Sequence, residues 1–297
     1  MKHLLSFILI FSSCLCLSAK TVYERADSLK VLTLLTEAKR QPTTTDWMLF
    51  FANKLKDIPY VGGTLDKGET ENLIVNLRQL DCTTFIETVL ALKMCAERNE
   101  TLFSAYCKHL QDVRYIDGKI AYDHRQHYFT VWIEDNVKQN IVTKVEPTSS
   151  DLKSGNHPFT ATQHLSDVNY MSQHVSSYKM LSAHPAWLPG IKSMEQTMKG
   201  KSYRYIPKTM LDTTNADKRS RLRKYIKTGD IIVILTSKKG LDTSHIGMAV
   251  WQGNELHMLN ASQIHKKVVL EPLTLYKYMQ QHPSQLGIRI IRAVPRN

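Results

Sequence analysis

The chain has 297 residues, 42% of them apolar and 22% charged, which is the make-up of an ordinary globular protein of one sizeable domain or two modest ones. No internal repeat or low-complexity tract is present, so solenoid and disordered architectures are excluded. The formal charge of +12 points to nucleic acid, an anionic surface or acidic substrates, or only to a soluble basic surface. No helix-turn-helix, zinc-finger or aromatic RNA-binding motif supports the first of these.

Residues 1–19 read as an export signal, with Lys2 as the charged start, Leu4 to Leu17 almost wholly apolar, and Ala19 as the small residue at the cleavage point. The apolar run is too short for a convincing membrane span. FSSC, ending at Cys14, loosely resembles a lipobox, so lipid attachment at Cys14 is an alternative that would tether the protein to a membrane. Either way the protein is exported, and a carboxylate-rich polymer outside the cytoplasm fits the charge better than nucleic acid. After cleavage Cys82, Cys95 and Cys107 remain, an odd number that leaves at least one thiol free. Cys95 and Cys107 either pair or stay as buried thiols.

Residues 22–57 read as two helices broken near Gln41-Pro42, with Thr43 to Asp46 supplying N-cap candidates for the second. IPYVGGTLD (58–66) is a loop, because Pro59 and Gly62-Gly63 forbid regular structure. LDCTTFIETVLAL then starts a helix capped by Asp81 and running to about Arg98. Cys82 stands at its first turn, on the same stripe as Phe85, Ile86, Val89 and Leu90. The positive end of a helix favours thiolate, which is the setting of a cysteine nucleophile; a buried structural cysteine is the plain alternative. Residues 110–145 read as strands and turns, including a strand over Tyr128 to Ile133 and a hairpin-like Asp117-Gly118. From 146 to 225 the composition shifts to Ser, His, Met, Lys and Pro, which predicts one large insertion with a helix near 167–182. Its histidines (His157, His164, His174, His184) lack metal-ligand spacing.

Strands are predicted at Asp230 to Thr236, Ser244 to Trp251, Glu255 to Leu259, Lys267 to Leu270 and Ile288 to Val294. Helices first and an antiparallel sheet later give an α+β fold, not a doubly wound one. The whole of 20–297 is expected to form a single domain.

A thiolate needs a base, and the base needs an orienting group. His245 begins a strand with Gly247 and Ala249 on its own face, small residues that leave room for the Cys82 helix to pack there. With the turn centred on Gly253-Asn254, residue 247 lies opposite 260, and Asn260 is diagonal to His245 on the same face. A one-residue change of turn would put His257 there instead.

PYVGG, DCTTF, TGD, SHIGMAV and LNAS, in this order, resemble the NlpC-type papain-like hydrolases of bacterial cell walls. IPYVGGTLD, LDCTTFIETVLAL, RQHYFTVWIEDN, YIPK, KTGDIIVILTSKKGLDTSHIG and LNAS extend the resemblance to an amidase branch of that superfamily, long known only as a domain of unknown function. The resemblance implies a papain-like fold with the nucleophile helix packed on an antiparallel sheet or barrel. It implies Cys82 as nucleophile, His245 as base and then acid, and Asn260 as orienting residue, where the branch more often has histidine. Tyr60 would bind substrate or the oxyanion, helped by the Cys82 N–H, with Asp81 at the same helix start. The implied reaction is N-acetylmuramoyl-L-alanine amidase chemistry on muropeptides, with a preference for anhydro-sugar fragments. A γ-D-glutamyl endopeptidase and an inactive wall-binding module are the alternatives. Arg125, with His127 and Tyr128, matches a motif of the branch. Arg125 would hold a stem-peptide carboxylate or lactyl oxygen, or would form a structural salt bridge. No metal motif or phosphate-binding loop is evident, no cofactor is expected, and the protein is expected to be a periplasmic monomer.

Overall fold

The computed structural model describes residues 19–295, so the expected signal, Ala19 apart, and Cys14 lie outside the described residues. After a two-residue strand β1 (Thr21–Val22), helices α1 (Arg25–Ala38) and α2 (Trp47–Lys54) follow the predicted pair. Asp46 caps α2 by accepting the Leu49 N–H at 3.0 Å. β2 (Leu73–Ile74) pairs in parallel with β1 and leads to α3 (Cys82–Glu97), the predicted nucleophile helix. Its residues from Thr84 to Cys95 are buried all round, not on one stripe. Even Glu87 is inside, paired with Arg114 of the next helix at 2.7 Å.

The strand expected over Tyr128 to Ile133 is a helix. α4 (Phe103–Arg114) and α5 (Phe129–Lys138) occupy most of the region read as strands, and only β3 (Val142–Val145) is extended. The β-branched and aromatic run suggests a strand, but α5 is wedged between two cores. Phe129, Trp132 and Ile133 face the main one, and Val131 faces a smaller one. Asp117-Gly118 turns the chain after α4, with both residues at positive φ, and joins no hairpin.

Residues 146–225 are less separate than the composition suggests. The helices α6 (Ser149–Ser154), α7 (Tyr170–Gln173), α8 (Lys179–Ala183), α9 (Leu188–Met198) and α10 (Ala216–Tyr225) alternate with strands β4 (Ala161–His164) and β5 (Ser202–Pro207). In place of one helix near 167–182 there are two short ones, and β5 is hydrogen-bonded into the main sheet.

The C-terminal strands follow the prediction closely: β6 (Ile231–Thr236), β7 (Thr243–Gln252), β8 (Glu255–Ser262), β9 (Lys267–Leu270) and β10 (Gln285–Ala293), with α11 (Leu275–Gln280) before the last. The sheet runs β4-β5-β10-β6-β7-β8-β9, with β3 also on β10, and all its pairings are antiparallel. One face packs on α1 to α4 through Val233, Ile246, Met248, Leu259 and Ala261. The other packs on α10 and α11 through Ile232, Ile234, Ala249 and Met258. The molecule is therefore a mixed α+β fold around a large antiparallel sheet. Among the described residues no helix is long and apolar enough to cross a membrane.

Candidate active site

Asp81 and Thr84 cap α3 reciprocally. The Asp81 carboxylate accepts the Thr84 N–H at 2.8 Å, and the Thr84 hydroxyl accepts the Asp81 N–H at 2.9 Å. That geometry holds Cys82 at the first helical position, where its own N–H has no intrahelical acceptor. Asp81, as an acceptor and an anion, has no donor to offer an oxyanion; its work is at the helix start. The Ile246 N–H and Thr83 lie close enough to the Cys82 thiol to favour its charged form.

The Ile246 N–H is available because of how β7 and β8 part. Ala249 exchanges bonds with the Gly229-Asp230 side, so by strand alternation residue 246 points its N–H towards β8. The last β7–β8 pair is Met248–Leu259, and beyond it the strands no longer pair. The thiol lies near Ile246, the residue that follows His245.

Burial is the main cause that pushes the Cys82 thiol up to about 12, and the Asp81 carboxylate adds to it, while the Ile246 and Thr83 bonds oppose. The resting group is a thiol, against the expectation that the helix end would leave it a thiolate. Desolvation and an adjacent anion outweigh the helix end.

His245 and Asn260 meet as the hairpin register predicts. Gln252–Glu255 closes the turn, and the His245 Nε2 is 2.9 Å from the Asn260 Oδ1. With the amide oxygen accepting, Nε2 carries the proton and Nδ1 keeps its lone pair. Burial lowers the His245 pKa, with His282 adding to it, and the Asn260 bond together with Asp81 and Glu271 opposes. The imidazole is thus neutral at neutral pH. Ser244, an extra residue between the pairs Ile234–His245 and Leu235–Thr243, forms a bulge that re-aims the strand at His245.

Two expectations about this strand are corrected. The Cys82 helix packs against the opposite face, on Ile246 and Met248, not beside Gly247 and Ala249. The space at Gly247 is used by β8, since a Cβ there would stand 2.5 Å from Met258 Cγ and 3.0 Å from Asn260 Cβ. His257, the alternate partner, lies opposite Val250 on the other face, with Nδ1 3.1 Å from the Glu271 carbonyl.

Tyr60 is half-buried in a loop stitched between the start of α3 and the sheet edge. Its N–H reaches the Lys266 carbonyl at 2.8 Å, and the Val61 N–H reaches Leu80 at 3.0 Å. Burial first, then Cys82 and Asp81, hold its hydroxyl at about 12, so it stays a donor. Arg125 is only 7% exposed and binds the same loop further on. Its guanidinium donates to the Leu65 carbonyl at 2.8 Å and pairs with Asp66 at 3.2 Å and Glu71 at 3.4 Å. These contacts realise the salt-bridge alternative; the guanidinium is spent on the loop. His127 donates to the Tyr122 carbonyl at 2.7 Å, and the Tyr128 hydroxyl donates to Glu195 at 2.8 Å, so this polar trio joins neighbouring segments.

Three nearby groups escaped the sequence reading. Tyr278 on α11 lies within electrostatic range of Cys82, His282 lies tilted against Tyr278 with ring centroids 4.4 Å apart, and Glu271 is buried beside His265 at 3.1 Å. The available signal was Thr274, an N-cap ahead of Leu275 and Met279 that announces the short helix. Asp242 caps α5 by accepting the Thr130 N–H at 2.7 Å, and so anchors the entry to β7.

A family model described as AmiA-like, N-acetylmuramoyl-L-alanine amidase-like, matches residues 50–288. The chain belongs to this AmiA-like family. The AmiA-like chain is similar to the crystal structure of an N-acetylmuramoyl-L-alanine amidase from Bacteroides uniformis. The two are 35% identical with a TM-score of 0.72, over 83% of this chain and 97% of that one. A Legionella pneumophila protein shares the fold at a TM-score of 0.68 and 20% identity, over 91% of this AmiA-like chain and 95% of its own. No curated protein matches the chain at a significant level.

Proposed function

We propose that this AmiA-like protein is a cysteine amidase of papain-like, NlpC type that cuts between the lactyl group of N-acetylmuramic sugar and L-Ala of the stem peptide. Anhydro-sugar fragments are its preferred substrates, and the periplasm is its place of work. The observation that carries the reading is the His245–Asn260 bond at 2.9 Å across strands that open where the Cys82 thiol meets the Ile246 N–H.

In this mechanism His245 Nδ1 takes the thiol proton as sulfur attacks the lactyl carbonyl, so no preformed thiolate is needed. The Cys82 N–H and the Tyr60 hydroxyl donate to the oxygen that becomes negative. Asn260 holds the imidazole by accepting from Nε2 while the ring is charged. The imidazolium returns its proton to the departing L-Ala nitrogen, leaving the sugar as a lactyl thioester on Cys82. Water, deprotonated by the same Nδ1, then attacks the thioester. The free sugar acid leaves, and the proton returns to the sulfur.

Digestion of defined muropeptides read by mass spectrometry tests this. The expected products are the intact stem peptide and the bare sugar, with none from Cys82→Ala. A sugar that keeps L-Ala-D-Glu would make the enzyme an endopeptidase. Equal turnover by Cys82→Ala would end the cysteine mechanism.

A further inference from the structure

At the far end of α3 a second group of residues comes together that the proposed reaction does not use. Cys95, Glu100 and His109 each place one ligand atom within 4.8 Å of the other two. Cys95 is in the last turns of α3, Glu100 in the connection that follows, and His109 on α4. Cys95 is 0% and His109 4% exposed, while Glu100 is half-buried. The His109 Nε2 is 2.6 Å from the Glu100 carboxylate. Nε2 is therefore the ring nitrogen that faces the cluster, and with the proton on Nδ1 it offers its lone pair to an ion. Cys95 and Cys107 are both free thiols, so no disulfide removes Cys95 from play.

We propose that Cys95, Glu100 and His109 form a zinc-binding site that staples α3 to α4. Thiolate, imidazole and carboxylate are the donors zinc takes, and a thiolate with an imidazole disfavours calcium and magnesium. In tetrahedral zinc the ligand atoms stand about 3.3–3.7 Å apart, so these side chains need only small rotations to close on an ion. Binding releases the Cys95 thiol proton to solvent; the imidazole proton moves to Nδ1, and Nε2 and the Glu100 carboxylate exchange their mutual hydrogen bond for bonds to the ion. Glu100 also lines a cleft of about 590 Å³ with Asn99 and Thr101, so its carboxylate side of the cluster is open to solvent. Three protein ligands and one water would hold the connection between the two helices closed.

The test uses the full reduced chain and zinc alone, in competition with a chromophoric chelator. Cys82→Ala, which removes the least buried of the three described thiols, is expected to bind one zinc per chain as tightly as the wild type. Cys95→Ser and His109→Gln are expected to bind at least about tenfold more weakly, since each loses a ligand. Glu100→Gln, at a half-buried position, is expected to weaken binding similarly. Free zinc at about 100 times its Kd should raise the melting temperature of the wild type by about 5 °C, and that of Glu100→Gln by much less. Cobalt substitution should give a thiolate charge-transfer band that Cys95→Ser lacks. Zinc binding that survives both Cys95→Ser and His109→Gln, or that disappears with Cys82→Ala, overturns the proposal.

Discussion

Replacing Asn260 by alanine separates the orienting role from mere packing. The bond removed runs from His245 Nε2 to Oδ1 at 2.9 Å, and Asn260 is 1% exposed, so the abandoned N–H has little access to bulk water. A hydrogen bond to a charged group is worth about 1.5–3 kcal/mol. The imidazole is charged only during the reaction, so this energy falls on the transition state and predicts about a 10- to 150-fold loss in kcat/KM, with KM nearly unchanged. The pH profile supplies a second reading. Asn260 raises the His245 pKa against burial, so removing it lowers that pKa further and moves the acid limb of kcat/KM to lower pH. Asn260→Asp sets an anion against the imidazolium and moves the limb upward. Asn260→His, the residue more usual in the branch, should retain most activity. The assay is stem-peptide release from a defined muropeptide across mildly acid to mildly alkaline pH. An Asn260→Ala enzyme within about twofold of wild type, with an unmoved acid limb, would refute the assignment.

Because burial and Asp81 keep Cys82 a thiol, its alkylation by iodoacetamide should accelerate about tenfold per pH unit from neutral upward; a plateau below about pH 8 would mean a thiolate at rest. Asp242→Ala strips the Thr130 and Thr243 N–H groups of their acceptor and should cost about 2–4 kcal/mol in urea unfolding, with a change under about 0.5 kcal/mol counting against the anchor. Gly247→Ala forces a Cβ to within 3.0 Å of Asn260 Cβ, so folded Gly247→Ala protein, checked by circular dichroism, should turn over more slowly than wild type. His127 is held well below its ordinary pKa, chiefly by burial and then by Arg125. Its contribution to stability is therefore present above the unfolded pKa of about 6.5 and is lost as pH falls below it. Urea midpoints at neutral and acid pH should show that loss, and His127→Gln should reduce it.

The hairpin of β7 and β8 was legible because strand alternation and a Gly-Asn turn fix which residues share a face, and His245 with Asn260 followed from that. The Asp81 cap and the Cys82 helix were equally plain. The region from Tyr128 to Ile133 was not, since a helix buried on two sides carries no amphipathic stripe to set against its β-branched residues. The protonation of Cys82 was hidden for a related reason: the positive helix end is local and readable, while desolvation comes from partners distant in the chain. Arg125 could be read as either ligand or strut until Leu65, Asp66 and Glu71 closed around it. The zinc-type cluster has no motif spacing, because its ligands lie on two helices and the turn between them.

The position of β10 in the sheet sets the order in which this protein can come to life. It is the strand furthest along the described chain, yet it sits inside the sheet, bonded to β6 on one side and to β5 and β3 on the other. A growing or threading chain therefore carries Cys82 long before it has a platform for His245 and Asn260. Until residues 285–293 have been made and have slotted in, β6 lacks its neighbour on that side, and the strand that carries His245 has no completed sheet to lie in.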